Sequence, residues 1–335
     1  MRPLVSKYVM RDAAFALALA LVAAPAAAAT YSVNVVNPLD LGNVAAAASG
    51  DTVFRINPSS GLVTTTSGSG RRLATGPVRA LVTITCRPAR GGDTACDQDN
   101  VAIRVGVIGA TSGRARALRN FTVAMETATL VTPVTGTNPL AFTVAPIGNA
   151  SKTFHIGADF PVAGDDSGLP SGDGENGFYA YVVNAAEQML AGDSDKGRVR
   201  AFRALSIDKS ADLNFGRIAL PLSGSGSVAI DPATGQRTVT GGVGFPTPAP
   251  SRATFMVAGE GGQAFSISTP STFQLTGPST LTVTTSTTAT PSPTLSGALG
   301  AAGTYRLDVG GSFPISSTTP TGAYSGVLTI SLDYN

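Results

Sequence analysis

The chain has 335 residues, 43% of them hydrophobic, 13% charged and 6% aromatic, with 39 glycines, 22 prolines, two cysteines, one histidine and no tryptophan. Charge is about half of the roughly 25% usual in globular chains, and glycine plus proline exceed the usual share of about 12%. The composition is too apolar for disorder and too poor in Glu, Lys and Leu for a helical bundle, and it leaves little material for a metal cluster. The length suits about two domains, each able to bury its own core.

Residues 1–29 read as a secretory signal peptide. Arg2, Lys7 and Arg11 form a basic start, Ala13 to Ala24 an apolar run, and Pro25 with Ala26-Ala27-Ala28-Ala29 offers small-residue cleavage sites. The apolar run is too short for a membrane span. Later runs are shorter still, so no transmembrane span is expected in the mature chain. The leader removes three cations and Asp12 from a formal charge of +2, leaving a neutral chain without the basic footprint of a nucleic-acid binder.

Beyond the leader, period-two alternation replaces helical periodicity. Val33-Asn34-Val35, Ala80-Leu81-Val82-Thr83-Ile84 and Val101-Ala102-Ile103-Arg104-Val105 are separated by Gly, Pro, Asn and Asp clusters. That is the pattern of short antiparallel strands in a β-sandwich. Ten arginines lie between residues 52 and 122, whereas residues 123–197 carry nine acidic residues against Lys152 and Lys196. The arginines are a candidate patch for an anionic surface. Cys86 and Cys96 are expected to form a disulfide in an oxidising compartment. Asp165, Asp166, Asp173 and Glu175 lie in an acidic, glycine-rich stretch and are weak calcium candidates, although their spacing fits no EF-hand. Residues 184–200 read as a linker, with Ala185 to Leu190 as a helical turn or two ended by Gly192.

The pattern then repeats. Leu39-Asp40-Leu41-Gly42 matches Leu213-Asn214-Phe215-Gly216, and Arg79-Ala80-Leu81 matches Arg252-Ala253-Thr254. Val53 to Gly61 aligns with Val228 to Gly235 with one extra residue in the first copy. Ile156-Gly157-Ala158-Asp159-Phe160-Pro161-Val162 matches Val309-Gly310-Gly311-Ser312-Phe313-Pro314-Ile315, and Gly177-Phe178 aligns with Gly326-Val327. Five matches in one order argue for duplication. The expected units are residues 30–183, a divergent sandwich and candidate binding domain, and residues 201–335.

The residues that carry a family resemblance are Leu-x-Phe-Gly at Leu213, Ile230-Asp231-Pro232, Val309-Gly310-Gly311-Ser312-Phe313-Pro314-Ile315 and the closing Gly322…Tyr334-Asn335. They resemble DUF4402, a secreted bacterial domain family similar to pilins and spore-coat-U-type proteins of chaperone–usher systems. The resemblance implies an all-β protein of two tandem immunoglobulin/pilin-like antiparallel sandwiches. At the C-terminus, Leu328, Ile330 and Leu332 alternate behind a penultimate Tyr334, with Tyr324, Gly326 and a Gly322 about fourteen residues from the end. These seven residues resemble the assembly strand of fibre subunits. There, an incomplete sandwich is filled by a chaperone strand and then by a neighbouring subunit's strand.

The implied partners are a periplasmic chaperone, an usher, a neighbouring pilus subunit and an unnamed host or surface ligand. The implied route runs through the periplasm to the cell surface, a fimbrium or the exterior. With no free extension expected ahead of Val33, a tip or adhesin subunit is favoured over a shaft subunit. The alternative is a stand-alone secreted or cell-envelope structural protein with complete sandwiches. The sequence holds no nucleophile, P-loop or zinc motif, and His155 stands alone on a strand. No enzymatic activity, catalytic residue or cofactor is expected.

Overall fold

Residues 29–89 and 94–335 are described by the computed structural model. The expected signal peptide falls outside the described residues except for Ala29, and so does Arg90 of the arginine series. In chain order the first unit contains β1 (Thr30–Val35), β2 (Leu39–Ala45), β3 (Thr52–Ile56), β4 (Val63–Ser67), β5 (Arg71–Arg72), β6 (Ala80–Arg87), a helical turn α1 (Ala95–Gln98) and β7 (Val101–Val107). It continues with β8 (Arg119–Met125), β9 (Leu130–Thr135), β10 (Leu140–Val144), β11 (Lys152–Val162), β12 (Gly172–Val183) and β13 (Met189–Phe202). The second unit has β14 (Ser206–Ala211), β15 (Ile218–Ala219), β16 (Ser225–Ile230), β17 (Arg237–Thr240), β18 (Val243–Gly244) and β19 (Ala253–Glu260). It ends with β20 (Phe265–Ser268), β21 (Thr272–Thr276), β22 (Thr280–Thr287), β23 (Ala302–Ser316) and β24 (Ser331–Tyr334).

The chain is all-β, as its alternation predicts, and its strands form sandwich sheets that are antiparallel except for the parallel β13–β2 pair. In the first unit one sheet runs β1-β6-β11-β3-β4, with β8 added to β11, and the other runs β5-β2-β13-β12-β7-β10-β9. In β6, buried and half-buried residues alternate, so one face meets the core. Phe54, Phe142, Phe154, Phe160 and Phe178 close that core from both sheets. Each contributes about 1.5–3 kcal/mol of apolar burial.

The second unit repeats the first sheet. Its order is β14-β19-β23-β16-β17, with β22 added to β23. Strand for strand, β1, β6, β11, β3 and β4 correspond to β14, β19, β23, β16 and β17. The turn after β3 repeats atom for atom. Asn57 Oδ1 accepts the Ser59 and Ser60 amides at 2.9 and 3.1 Å, and Asp231 Oδ1 accepts the Ala233 and Thr234 amides at 2.8 Å each. Arg79 donates to the Ser59 carbonyl, and Arg252 donates to the equivalent Ala233 carbonyl and also to that of Pro232 at 2.8 Å.

Three sequence expectations are corrected here. First, residues 189–202 are not a linker. They form β13, paired with β12 from Ala201↔Gly172 to Met189↔Val183. The expected helical turn is a tight connection instead. Asn184 Oδ1 takes the Ala186 and Gln188 amides at 2.9 Å each, which competes with helix formation. The second unit therefore starts at β14, not at Ala201. Second, Phe160 pairs with Phe54 and Phe313 pairs with Val228. Phe54 is the counterpart of Val228, and no extra residue is needed. Third, the closing alignment is one residue out. Phe178, Ala180 and Val182 face the core of the first unit, but in the second unit Leu328, Ile330 and Leu332 do so while Val327 is 83% exposed. A one-residue slip sends every side chain to the other face, so Phe178 corresponds to Leu328.

Candidate functional site: an open groove in the second sandwich

The two units differ at one strand position. In the first, β13 lies between β12 and β2, antiparallel to β12 and parallel to β2. In the second, β15 corresponds to β2, because β2 pairs β5 through Val44↔Arg72 and β15 pairs β18 through Ile218↔Gly244. The closing segment through Leu328 to β24 corresponds to β12. Val182↔Ile103 in the first unit is matched by Leu332↔Ile267 in the second. Among the described residues, no strand runs between these two segments.

What lies there is a groove of about 790 Å³. Its rims are the stretch from Leu213 to Ile218 and the stretch from Thr319 to Leu328, and its floor includes Phe273, Leu275, Phe313 and Ile315. Exposure records the missing cover. Leu39, Leu41 and Val44 on β2, beside β13, are each 0% exposed, whereas their counterparts Leu213 and Ile218 are only half-buried and Phe215 is 9% exposed. The Phe215 and Phe313 rings meet edge to face, with centroids 4.9 Å apart.

The residues expected to form one assembly strand divide into three groups. Gly322 has φ +154° beside Pro278, and Tyr324 donates to the Pro320 carbonyl at 2.7 Å. With Gly326 they line the groove rim. Leu328 and Ile330 pack toward Ala253, Leu307 and Val309, and Leu328 also lines the groove. Only residues 331–334 are a paired strand, against β20.

Tyr334 faces away from the groove into the junction between the units. Its hydroxyl donates to the Arg203 carbonyl at 2.8 Å and accepts the Glu260 amide at 2.7 Å. Its ring sits 5.8 Å from that of Phe202, centroid to centroid. Burial, with the nearby Glu260 and Asp165 charges, pushes the hydroxyl up to about 12 against the Glu260 amide and Arg114. Glu260 is fully buried and accepts the Arg203 amide at 3.1 Å and the Gly300 amide at 2.5 Å. Sequence reasoning missed this tie, because no local pattern marks a contact between residues so far apart.

The other candidates serve structure. Cys86 and Cys96 are joined in a disulfide. The four acidic residues do not converge. Asp165 is paired with the buried Arg114 and takes the Ala204 amide at 2.9 Å, and Asp166 takes the Gly50 amide at 2.9 Å. Asp173 is bound by Arg200, and Glu175 by Lys196 and Arg198. The expected arginine patch is dispersed in the same way. Arg55 binds Asp159, Arg71 binds Asp333, Arg104 binds Glu187 and Arg116 binds Asp51. His155, on β11, lies 3.6 Å from Glu126, which follows β8.

Comparison with known proteins bears on the second unit. Residues 205–334 match the family model of a domain of unknown function, DUF4402. The DUF4402 segment begins just before β14 and ends in β24, so it contains both rims and the floor of the groove. No curated protein matches the chain. A solved chain from work on a chaperone–tip adhesin complex in CFA/I fimbriae biogenesis is similar at 12% identity with a TM-score of 0.21. That likeness covers 90% of this chain and 98% of that one.

Proposed function

We propose that this protein is an exported, non-enzymatic surface subunit of fimbrial or adhesin type. Its DUF4402 sandwich accepts a strand from another chain, first a periplasmic chaperone and then a neighbouring subunit delivered through an usher. The observation that carries this reading is the groove in the position that β13 fills in the first unit. An unfilled position between two strands presents backbone donors and acceptors beside apolar side chains, and a strand satisfies both together. The first unit, closed by its own β13, needs no such strand and is the candidate outward binding domain.

Hydrogen exchange at the Leu213, Phe215 and Arg217 amides tests the reading, because the Asn214 and Gly216 amides are already bonded to the Ser251 carbonyl and to Asn214 Oδ1. In the purified monomer these amides should exchange freely, and in protein recovered from a surface fibre fraction they should be protected. Full protection in the monomer would overturn the proposal in favour of a stand-alone envelope protein with complete sandwiches.

A further inference from the structure

The outer face of the first unit carries a strip of side chains that the second unit lacks. Along β12, Phe178, Ala180 and Val182 are buried in the core, so Asp173, Glu175, Gly177, Tyr179 and Tyr181 stand on the opposite, solvent side. Their partners on β13 are Arg200, Arg198, Lys196, Ser194 and Gly192. From Asp173 to Tyr181 the strip is about 26 Å long, at about 3.3 Å per residue. From it we infer that the first unit binds a neutral, extended oligosaccharide across the outer face of β12 and β13. The inference deepens the reading of the first unit as the outward binding domain and stands apart from the groove.

One end of the strip is aromatic. The Tyr179 and Tyr181 rings are stacked, with centroids 4.1 Å apart and planes 20° from parallel. Each lies over a glycine of a neighbouring strand. A Cβ at Gly106 on β7 would stand 2.7 Å from the Tyr179 hydroxyl oxygen, and one at Gly192 would stand 2.2 Å from Tyr181 Cδ1. Arg104 is the partner of Tyr181 on β7, and its guanidinium is held by Glu187. Tyrosine offers a rigid apolar body with a polar tip, which matches the C–H face and the hydroxyls of a sugar ring. The fold does not require the pair. With Phe178 corresponding to Leu328, Thr329 and Ser331 take the places of Tyr179 and Tyr181 in the second unit.

The other end is a polar cleft of about 430 Å³, whose lining includes Asp40, Asn43, Asp173, Glu175, Arg198 and Arg200. Arg200 donates to Asp173 at 2.6 and 3.1 Å, Lys196 is paired with Glu175, and Arg198 lies 3.7 Å from Glu175. The cations Lys196, Arg198 and Arg200 are balanced by the carboxylates Asp40, Asp173 and Glu175, so the cleft has no net charge with which to draw a polyanion. Guanidinium donors beside carboxylate acceptors suit neighbouring sugar hydroxyls, each of which both donates and accepts. Ala323 and Ser325 stand where Asp173 and Glu175 do, so this end too is special to the first unit. A peptide would lack main-chain partners here, because β12 and β13 are each paired on both sides.

The experiment titrates the full chain with linear oligomers of glucose, mannose, galactose and N-acetylglucosamine, and with a sulfated oligosaccharide as the anionic comparison. At least one neutral oligomer is expected to shift the ring-proton signals of Tyr179 and Tyr181 in the parent, and to bind equally at low and physiological salt. Tyr179→Thr combined with Tyr181→Ser, the residues of the second unit, should weaken that binding at least about tenfold. The unfolding midpoint reports whether the double variant is folded, and the ring-proton shifts are read without any substitution. Binding confined to the sulfated sugar, no binding by any neutral oligomer, or equal binding by the folded double variant would overturn the inference. Capture of the chain by a cell surface that no neutral oligomer competes would also overturn it, yet leave the first unit a binding domain of another kind. Exchange at the Leu213, Phe215 and Arg217 amides tests the groove separately.

Discussion

The hydroxyl of Tyr334 is bonded to the carbonyl of Arg203, 131 positions earlier in the chain. That bond ties the last strand to the segment that leaves β13 and enters the second unit. Phe202, Val257, Phe265, Leu295 and Tyr334 form one buried cluster, with Ala45 and Leu73 of the first unit packed against it. The strand that completes the first sandwich and the strand that follows the groove rim thus share an anchor.

Tyr334→Phe keeps the ring and removes both hydrogen bonds. The Glu260 amide is left buried and unpaired, a loss of about 1–3 kcal/mol. Denaturant titration should show the lower stability, with the largest gain in exchange at β20 and β24. A result within error of the parent would deny the junction its role.

The same hydroxyl predicts alkaline sensitivity. Its folded-state value of about 12 lies above the usual tyrosine value of about 10. The contribution is therefore complete below about pH 10 and is lost as pH rises toward 12. Melting temperatures across that window should fall more steeply for the parent than for Tyr334→Phe.

Asp159 sets the acid limb of the first unit. Burial alone would raise its carboxyl, but Arg55 at 2.7 Å, Asn120 at 2.8 Å and the nearby Arg119 together hold it below the usual range. A depressed carboxylate stabilises the fold above its unfolded value of about 3.9 and loses that contribution as pH falls through the folded value. Asp159→Asn should lower stability at pH 7, and the gap from the parent should narrow below about pH 4.

Gly157 and Gly310 hold equivalent places in β11 and β23. A Cβ at Gly157 would strike the Ile56 carbonyl and Pro58, and one at Gly310 the Ile230 carbonyl and Pro232. Backbone cannot yield as a side chain tip can, so Gly310→Ala should cost about 1–3 kcal/mol or more. Two-step denaturation, with loss confined to the second unit, is the expected readout.

The disulfide is a further test. It closes a loop with a sequence separation of 10, and a constraint of that size is worth roughly 3 kcal/mol in the chain-entropy model. Replacing Cys86 and Cys96 together by serine should shift the unfolding midpoint of the first unit and leave exchange in β19 and β23 unchanged.

The sequence alone determined the strand class, the repeated β-unit and the disulfide, because each rests on local chemistry. Alternation needs only neighbours on a pleat, a turn such as Asp231-Pro232 to Gly235 closes on itself, and two cysteines have one way to pair. Even β13 left a trace, since Gly197, Val199 and Ala201 alternate with Arg198 and Arg200. Its charges and glycines gave the stretch the look of a linker.

Tertiary structure alone decided which strand position is filled and which is open. That choice depends on where β13 returns after the Asn184 turn, and on whether Leu328 or Val327 faces inward. Both are matters of register between segments far apart in the chain, and a shift of one residue reverses the answer. Tyr334 is the sharpest case. Its place in the chain resembled an assembly contact, yet its burial against Phe202 and its bond to Arg203 make it the pin between the two units.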